Sequence, residues 1–172
     1  MACLLAAAIL AISALAEAQG TPTRILVRAI ARDAKAIGTS VGGALITFKD
    51  AKTGEVLAQG EQQGATGETP RIMIEPRPRD ETIFGTPDAA HFTATLDLTR
   101  PTIVEITAEG PLDTPDYMYK ASKTMLLLPG QDVLGEGVVI VVHGFRVTLA
   151  DGPASPVSSG DDIPLTANVV ML

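Results

Sequence analysis

His91 and His143 are the side chains here best suited to metal or acid–base chemistry, and they are the only two histidines of the chain. A neutral imidazole is a common metal ligand, and its charge changes near neutral pH. Joined by Met118 or Met125, the pair would offer a copper or zinc site. Such a site wants three or four convergent ligands, held by hydrogen bonds behind them. No HxH, HxxxH or Met-x-x-Met cluster accompanies them, and they fall in separate apolar segments. A periplasmic metal- or small-ligand-binding protein using His91 and His143 is therefore the alternative reading. Acids are abundant, but they stand at turns and linkers, where acids are expected. No phosphate loop or dinucleotide fingerprint is present, so the leading reading is non-enzymatic and calls for no cofactor.

Two further groups could recognise a partner. Arg71, Arg77 and Arg79 fall close together in a long polar stretch. They fit either a recognition loop for an acidic partner or a solvated excursion whose prolines blunt edge pairing. Tyr117 and Tyr119 alternate with Met118, so both rings should share one face. They fit a contact spot or ordinary packing on a sandwich surface.

Composition removes several classes. The chain of 172 residues carries a formal charge of −7, without the basic footprint that nucleic acid or an anionic membrane requires. Aromatic residues make up 3% with no Trp, against stacking platforms for bases or sugars. Hydrophobic residues make up 46%, enough for a real core built from Val, Ile, Leu and Ala. The one cysteine, Cys3, lies in a leader-like segment, so the mature chain would hold no disulfide or thiolate site.

These side chains need elements to position them. Residues 1–18 read as a signal peptide: an apolar run ends in small-x-small sites, although no Lys or Arg precedes it. Residues 24–32 read as the first strand, with Ile25, Val27, Ala29 and Ala31 on one face. Residues 41–59 read as a hairpin. Ala44, Ile46 and Phe48 alternate with Leu45, Thr47 and Lys49, the DAKTG turn follows, and Val56 and Ala58 share one face of the return strand. Residues 60–90 are long, rich in Gly, Pro and charge, and read as a loop. Phe92, Ala94 and Leu96 alternate, a turn follows at 99–101, and 102–108 alternates again, which reads as a second hairpin. A loop at 112–119 leads to a strand at 120–128. A Gly-rich turn at 129–137 offers only Asp132 and Glu136 to a calcium ion, against the six or more oxygens one wants. Residues 138–149, the most apolar run, read as a central strand buried on both faces, with Gly144 marking a bulge or close backbone approach.

The Gly-Ala strand opening at Gly43, the Asp-x-x-Thr-Gly turn after it, the alternating strand at Phe92 and the strand ending at Gly110 together resemble carboxypeptidase-regulatory-like and prealbumin-like (Ig-like) sandwich domains. The matching pieces are 43–57 and 92–110. Where that family usually has a Gly before the Phe, this chain has Ala89 and Ala90, and its 60–90 segment is longer. The resemblance implies a seven-stranded sandwich with a non-catalytic role. Related adhesin sandwiches join a first-strand lysine to a last-strand asparagine. Here the first strand carries Arg24, Arg28 and Arg32, with Lys35 beyond it, and Asn168 is the only asparagine.

The expected organisation is a signal peptide at 1–18, an all-β antiparallel sandwich of about seven strands at 19–150, and a linker-like segment at 151–162. Residues 163–172 form either the last strand of the sandwich or the first strand of another. The expected role is an exported accessory or interaction module, periplasmic or extracellular. It binds a protein or cell-surface partner through the 60–90 loop or an edge strand, with no nucleic acid and no membrane span after cleavage.

Overall fold

The computed structural model describes residues 19–79, 81–150, 152 and 156–171; the leader read at 1–18 lies outside them. The chain is an antiparallel β-sandwich with one parallel strand pair. β1 (Thr21–Ala31), β4 (Phe92–Leu98) and β7 (Val133–Val142) form a three-stranded sheet in the order β4-β1-β7. β2 (Ala44–Asp50), β3 (Val56–Gln62), β5 (Thr102–Gly110) and β6 (Tyr119–Leu127) form a four-stranded sheet in the order β3-β2-β5-β6. β8 (Phe145–Leu149) and β9 (Ala167–Met171) form a two-stranded ribbon apart from both sheets.

Period-2 alternation builds the core. Ile25, Val27 and Ala29 of β1 face Ala44, Ile46 and Phe48 of β2 and Val104 and Ile106 of β5, all fully buried. β1 is the strand buried on both faces, since Arg28 and Ile30 on its other face are also buried. The strand read at 24–32 is β1, paired antiparallel with β4 and parallel with β7.

β4 begins at Phe92, opposite Val27, so Ala29 of β1 has β7 on one side but no strand partner on the β4 side. The buried Gln62 side chain takes that place. Its Oε1 accepts from the Ala29 N–H at 2.6 Å, and its Nε2 donates to the Ala29 carbonyl at 2.9 Å and to the Ile37 carbonyl at 2.8 Å. One amide supplies the donor and the acceptor that a ladder residue would have supplied.

The first hairpin holds. Asp50 accepts from the Lys52 and Thr53 N–H groups, and Gly54 takes the left-handed φ of 77° that closes the turn. A register shift after Phe48 places Val56 opposite Lys49 but Ala58 opposite Phe48. Val56 is thereby turned out to solvent, and does not share the inward face of Ala58.

Several expectations are corrected. β4 and β5 are not a hairpin: residues 99–101 carry the chain from one sheet to the other, because β4 pairs with β1 and β5 with β2 and β6. Residues 138–149 are not one central strand. β7 is an edge strand ending at Val142; it buries Val138, Ile140 and Val142 and leaves Val141 part-exposed, and β8 is a separate strand. The close approach expected at Gly144 is present, since a Cβ there would collide with the Arg32 carbonyl. β7 also starts inside the Gly-rich stretch, with residues 134–137 bulged between the Ile25–Val133 and Val27–Val138 pairs. Residues 60–90 are not a structureless loop. β3 runs on to Gln62, bridges join Gln63 to His91 and Ala65 to Ala89, and a single π-helical turn spans Pro70–Ile74. The strand expected within 163–172 is β9, which pairs with β8 in the ribbon and with neither sheet of the sandwich.

Candidate functional site

The segment between β3 and β4 folds over the outer face of the three-stranded sheet and builds a second, smaller core. Ile72, Phe84 and Ala90 pack there on Ile30 and Ala36. Polar bonds fix it. The buried Arg28 guanidinium donates through Nη1 to the carbonyls of Ala89 at 3.0 Å and Ala90 at 3.1 Å. Burial pushes the Arg28 pKa down, and the nearby Glu136 carboxylate opposes that shift. Glu136, carried outward by the β7 bulge, accepts from the Phe84 N–H at 3.1 Å.

The insert does not cover the whole face. Between it and the end of β7 runs a groove of about 430 Å³, floored by Ile30, Val139, Val141 and Phe84 and rimmed by Arg32, Asp33 and Arg77. A second groove of about 320 Å³ lies on the other side of Arg32 and Asp33, against Tyr119, His143 and Phe145. Asp33 sits between them with φ at 56°, a left-handed conformation uncommon outside Gly, Asn and Asp.

The edge of β7 gives the first groove its character. The Val142 carbonyl accepts from the Arg32 N–H, so Val142 directs its backbone groups toward β1. Backbone direction alternates along a strand. Val139 and Val141 therefore aim their N–H and C=O groups away from β1, at the side where no strand pairs with β7 among the described residues. Their side chains line the groove. The same two residues offer free ladder groups and an apolar floor.

The expected recognition residues are divided by the structure. Arg77 lines the groove and donates weakly to the Ile72 carbonyl at 3.4 Å. Arg71 pairs with Glu81 at 3.2 Å, and Arg79 is exposed on the insert. Glu68, Glu75, Asp80 and Glu81 outnumber the three arginines within 68–81, so this stretch is not a basic surface. Tyr117 and Tyr119 do not share one strand face: Tyr117 ends a 3₁₀ turn and Tyr119 opens β6. Both face the start of the ribbon. The Arg146 guanidinium lies 4.9 Å from the Tyr117 ring centre, and the Tyr119 hydroxyl donates to the Phe145 carbonyl at 3.3 Å.

The two histidines fall on opposite sides of β1. His143 follows β7 and meets the Tyr119 ring edge-on at 5.0 Å. His91 precedes β4, with Nδ1 3.0 Å from the Ala89 carbonyl. No group of three or more His, Cys, Asp or Glu side chains that could hold a metal occurs among the described residues. Lys35 donates to the Thr69 hydroxyl, whereas Asn168 stands in the ribbon opposite Thr148.

Gly38-Thr39-Ser40-Val41-Gly42 has the G-x-S-x-G spacing of a nucleophile elbow. That chemistry needs a strand-to-helix turn presenting the serine to a histidine. Here Ser40 lies in a 3₁₀ turn, Thr39–Val41, that leads into β2. The β7 edge was also unreadable in advance, because strand order decides which strand is an edge.

No protein-family model, curated protein or solved structure matches the chain. Among the described residues no helix is long and apolar enough to cross a membrane.

Proposed function

We propose that the chain is an exported, non-enzymatic β-sandwich acting as an accessory or interaction module. It takes an extended segment of a protein or cell-surface partner along the free edge of β7. Strand addition uses main-chain hydrogen bonds for affinity and alternate side-chain pockets for fit. The observation that carries the reading is the double role of Val139 and Val141, which hold the outward backbone groups and floor the adjoining groove. Arg32 and Arg77 at the groove's rim suit an acidic residue on the incoming strand. The likeness to carboxypeptidase-regulatory-like and prealbumin-like domains, and a periplasmic or extracellular home, belong to the same proposal.

A photo-crosslinking residue at Val141 tests it, in cells that produce the protein, with the same residue at Thr124 on the other sheet as control. A defined protein adduct is expected at Val141 and none at Thr124. Val139→Pro should abolish it, because the N–H it removes points to the free edge and not into the β1 ladder. Equal labelling at both positions, or an adduct that survives Val139→Pro, rejects strand addition at β7.

A further inference from the structure

We infer that the β8–β9 ribbon is a self-association surface, covered in solution by the ribbon of a second copy of this chain. Directly opposed residues of an antiparallel pair share a face. Phe145, Val147 and Leu149 lie opposite Met171, Val169 and Ala167, so one face carries six apolar side chains and no polar one. The five larger ones are between 42% and 67% exposed. On the sandwich side the contacts come from β8, with Arg146 over Tyr117 and the Phe145 carbonyl bonded to Tyr119, while Asn168 and Val170 of β9 are exposed. An isolated two-stranded ribbon is marginal in water, and this one leaves its apolar face uncovered among the described residues.

Three observations point to a second copy as the occupant. First, the surface is self-complementary: it is apolar throughout, and Arg146, the one charged residue of the two strands, is on the opposite face. Second, Ile163 and Leu165 continue the alternation of β9 and are themselves exposed. With them the exposed apolar surface extends beyond the ribbon itself, toward the size that an interface of ~800 Å² per partner needs. Third, the ribbon's strand edges lack the usual protection. β6, an edge of the sandwich, carries Lys120 and Lys123, whereas β9 has no charge and no proline. A lipid surface is the poorer fit, since membrane-binding elements set Lys and Arg around an apolar face.

Sedimentation of the full chain across about 1–100 μM tests this, a range in which a concentration-dependent dimer shows itself. Twice the monomer mass is expected. The double substitution Val147→Glu, Val169→Glu should raise the dimer dissociation constant more than about 100-fold, since it sets charge in a dry interface. Val147→Ser with Val169→Ser, whose smaller disturbance keeps the ribbon folded, should weaken it in the same direction. Near-ultraviolet circular dichroism of Tyr117 and Tyr119, the two tyrosines and both in contact with β8, checks that the ribbon still sits on the sandwich in each variant. A monomer throughout the range overturns the inference. So does a dimer indifferent to both double variants, and so does a monomer that floats with phosphatidylcholine vesicles, since the face would then be covered by lipid.

Discussion

The two cores of the molecule are built by different rules. The larger, around Phe48, is made by strands whose alternate residues point inward and whose polar groups are consumed by the ladders. The smaller, around Phe84, is closed by a chain segment with little regular structure, and side chains tie it down: Arg28 to the Ala89 and Ala90 carbonyls, Glu136 to the Phe84 N–H. Regular pairing makes a core that opens as one piece. A clasp of individual bonds makes one that can open by itself.

The largest effect should come from Phe48→Ala, about 3–5 kcal/mol of global stability, since it empties a fully buried site between the sheets. Denaturant unfolding should lose that amount in a single transition. Phe84→Ala should cost about 3 kcal/mol but locally. Hydrogen exchange should then quicken at Gln63, Ala65 and Ala90, whose N–H groups hold the insert shut, while Ile46 and Ile106 stay protected. Acceleration at all these positions alike would merge the two cores into one cooperative unit. Glu136→Gln keeps an acceptor for the Phe84 N–H but removes the charge near Arg28. About 1 kcal/mol is expected, visible in exchange at Phe84 before it is visible in melting.

The smallest effect is electrostatic. Hydrogen bonds from Arg24 hold the Asp132 carboxyl below its usual pKa at the foot of β1 and β7. A depressed carboxylate pKa means that the stabilisation is present above the unfolded value, about pH 4, and is lost as pH falls through the folded value. Asp132→Asn should therefore flatten the acid limb of a melting-temperature profile and change little near neutrality. Asp50, lowered by the Thr53 and Lys52 N–H groups, supplies a second part of the same acid limb that Asp132→Asn leaves in place.

The same contrast explains what the sequence disclosed. Ala44, Ile46, Phe48 and Ala94, Leu96, Leu98 alternate, and alternation alone places them inside. The DAKTG turn was legible because its chemistry is local. Pairing was not. Phe92 and Thr102 begin adjacent strands that read as a hairpin, yet they enter different sheets, because a short turn fits an arch between sheets as well as a hairpin within one. Val139 and Val141 look like core residues for the same reason: sequence alternation cannot tell an edge strand from a central one. Gln62 gave no signal at all. A polar residue becomes a buried ladder substitute only because β4 begins two residues short of the position opposite Ala29. Tyr117, Tyr119 and His143 are brought together by the β6 and β7 ends, a proximity that no spacing encodes.

The position of β1 has a consequence for how the chain reaches this state. The bond from the Arg24 N–H to Asp132 spans 108 residues, and the strand it anchors is the centre of its sheet. β1 leaves the ribosome first and waits for β7 before it has both neighbours. Closing so large a loop comes before any reward, which places such topologies among the slow folders, in milliseconds to seconds.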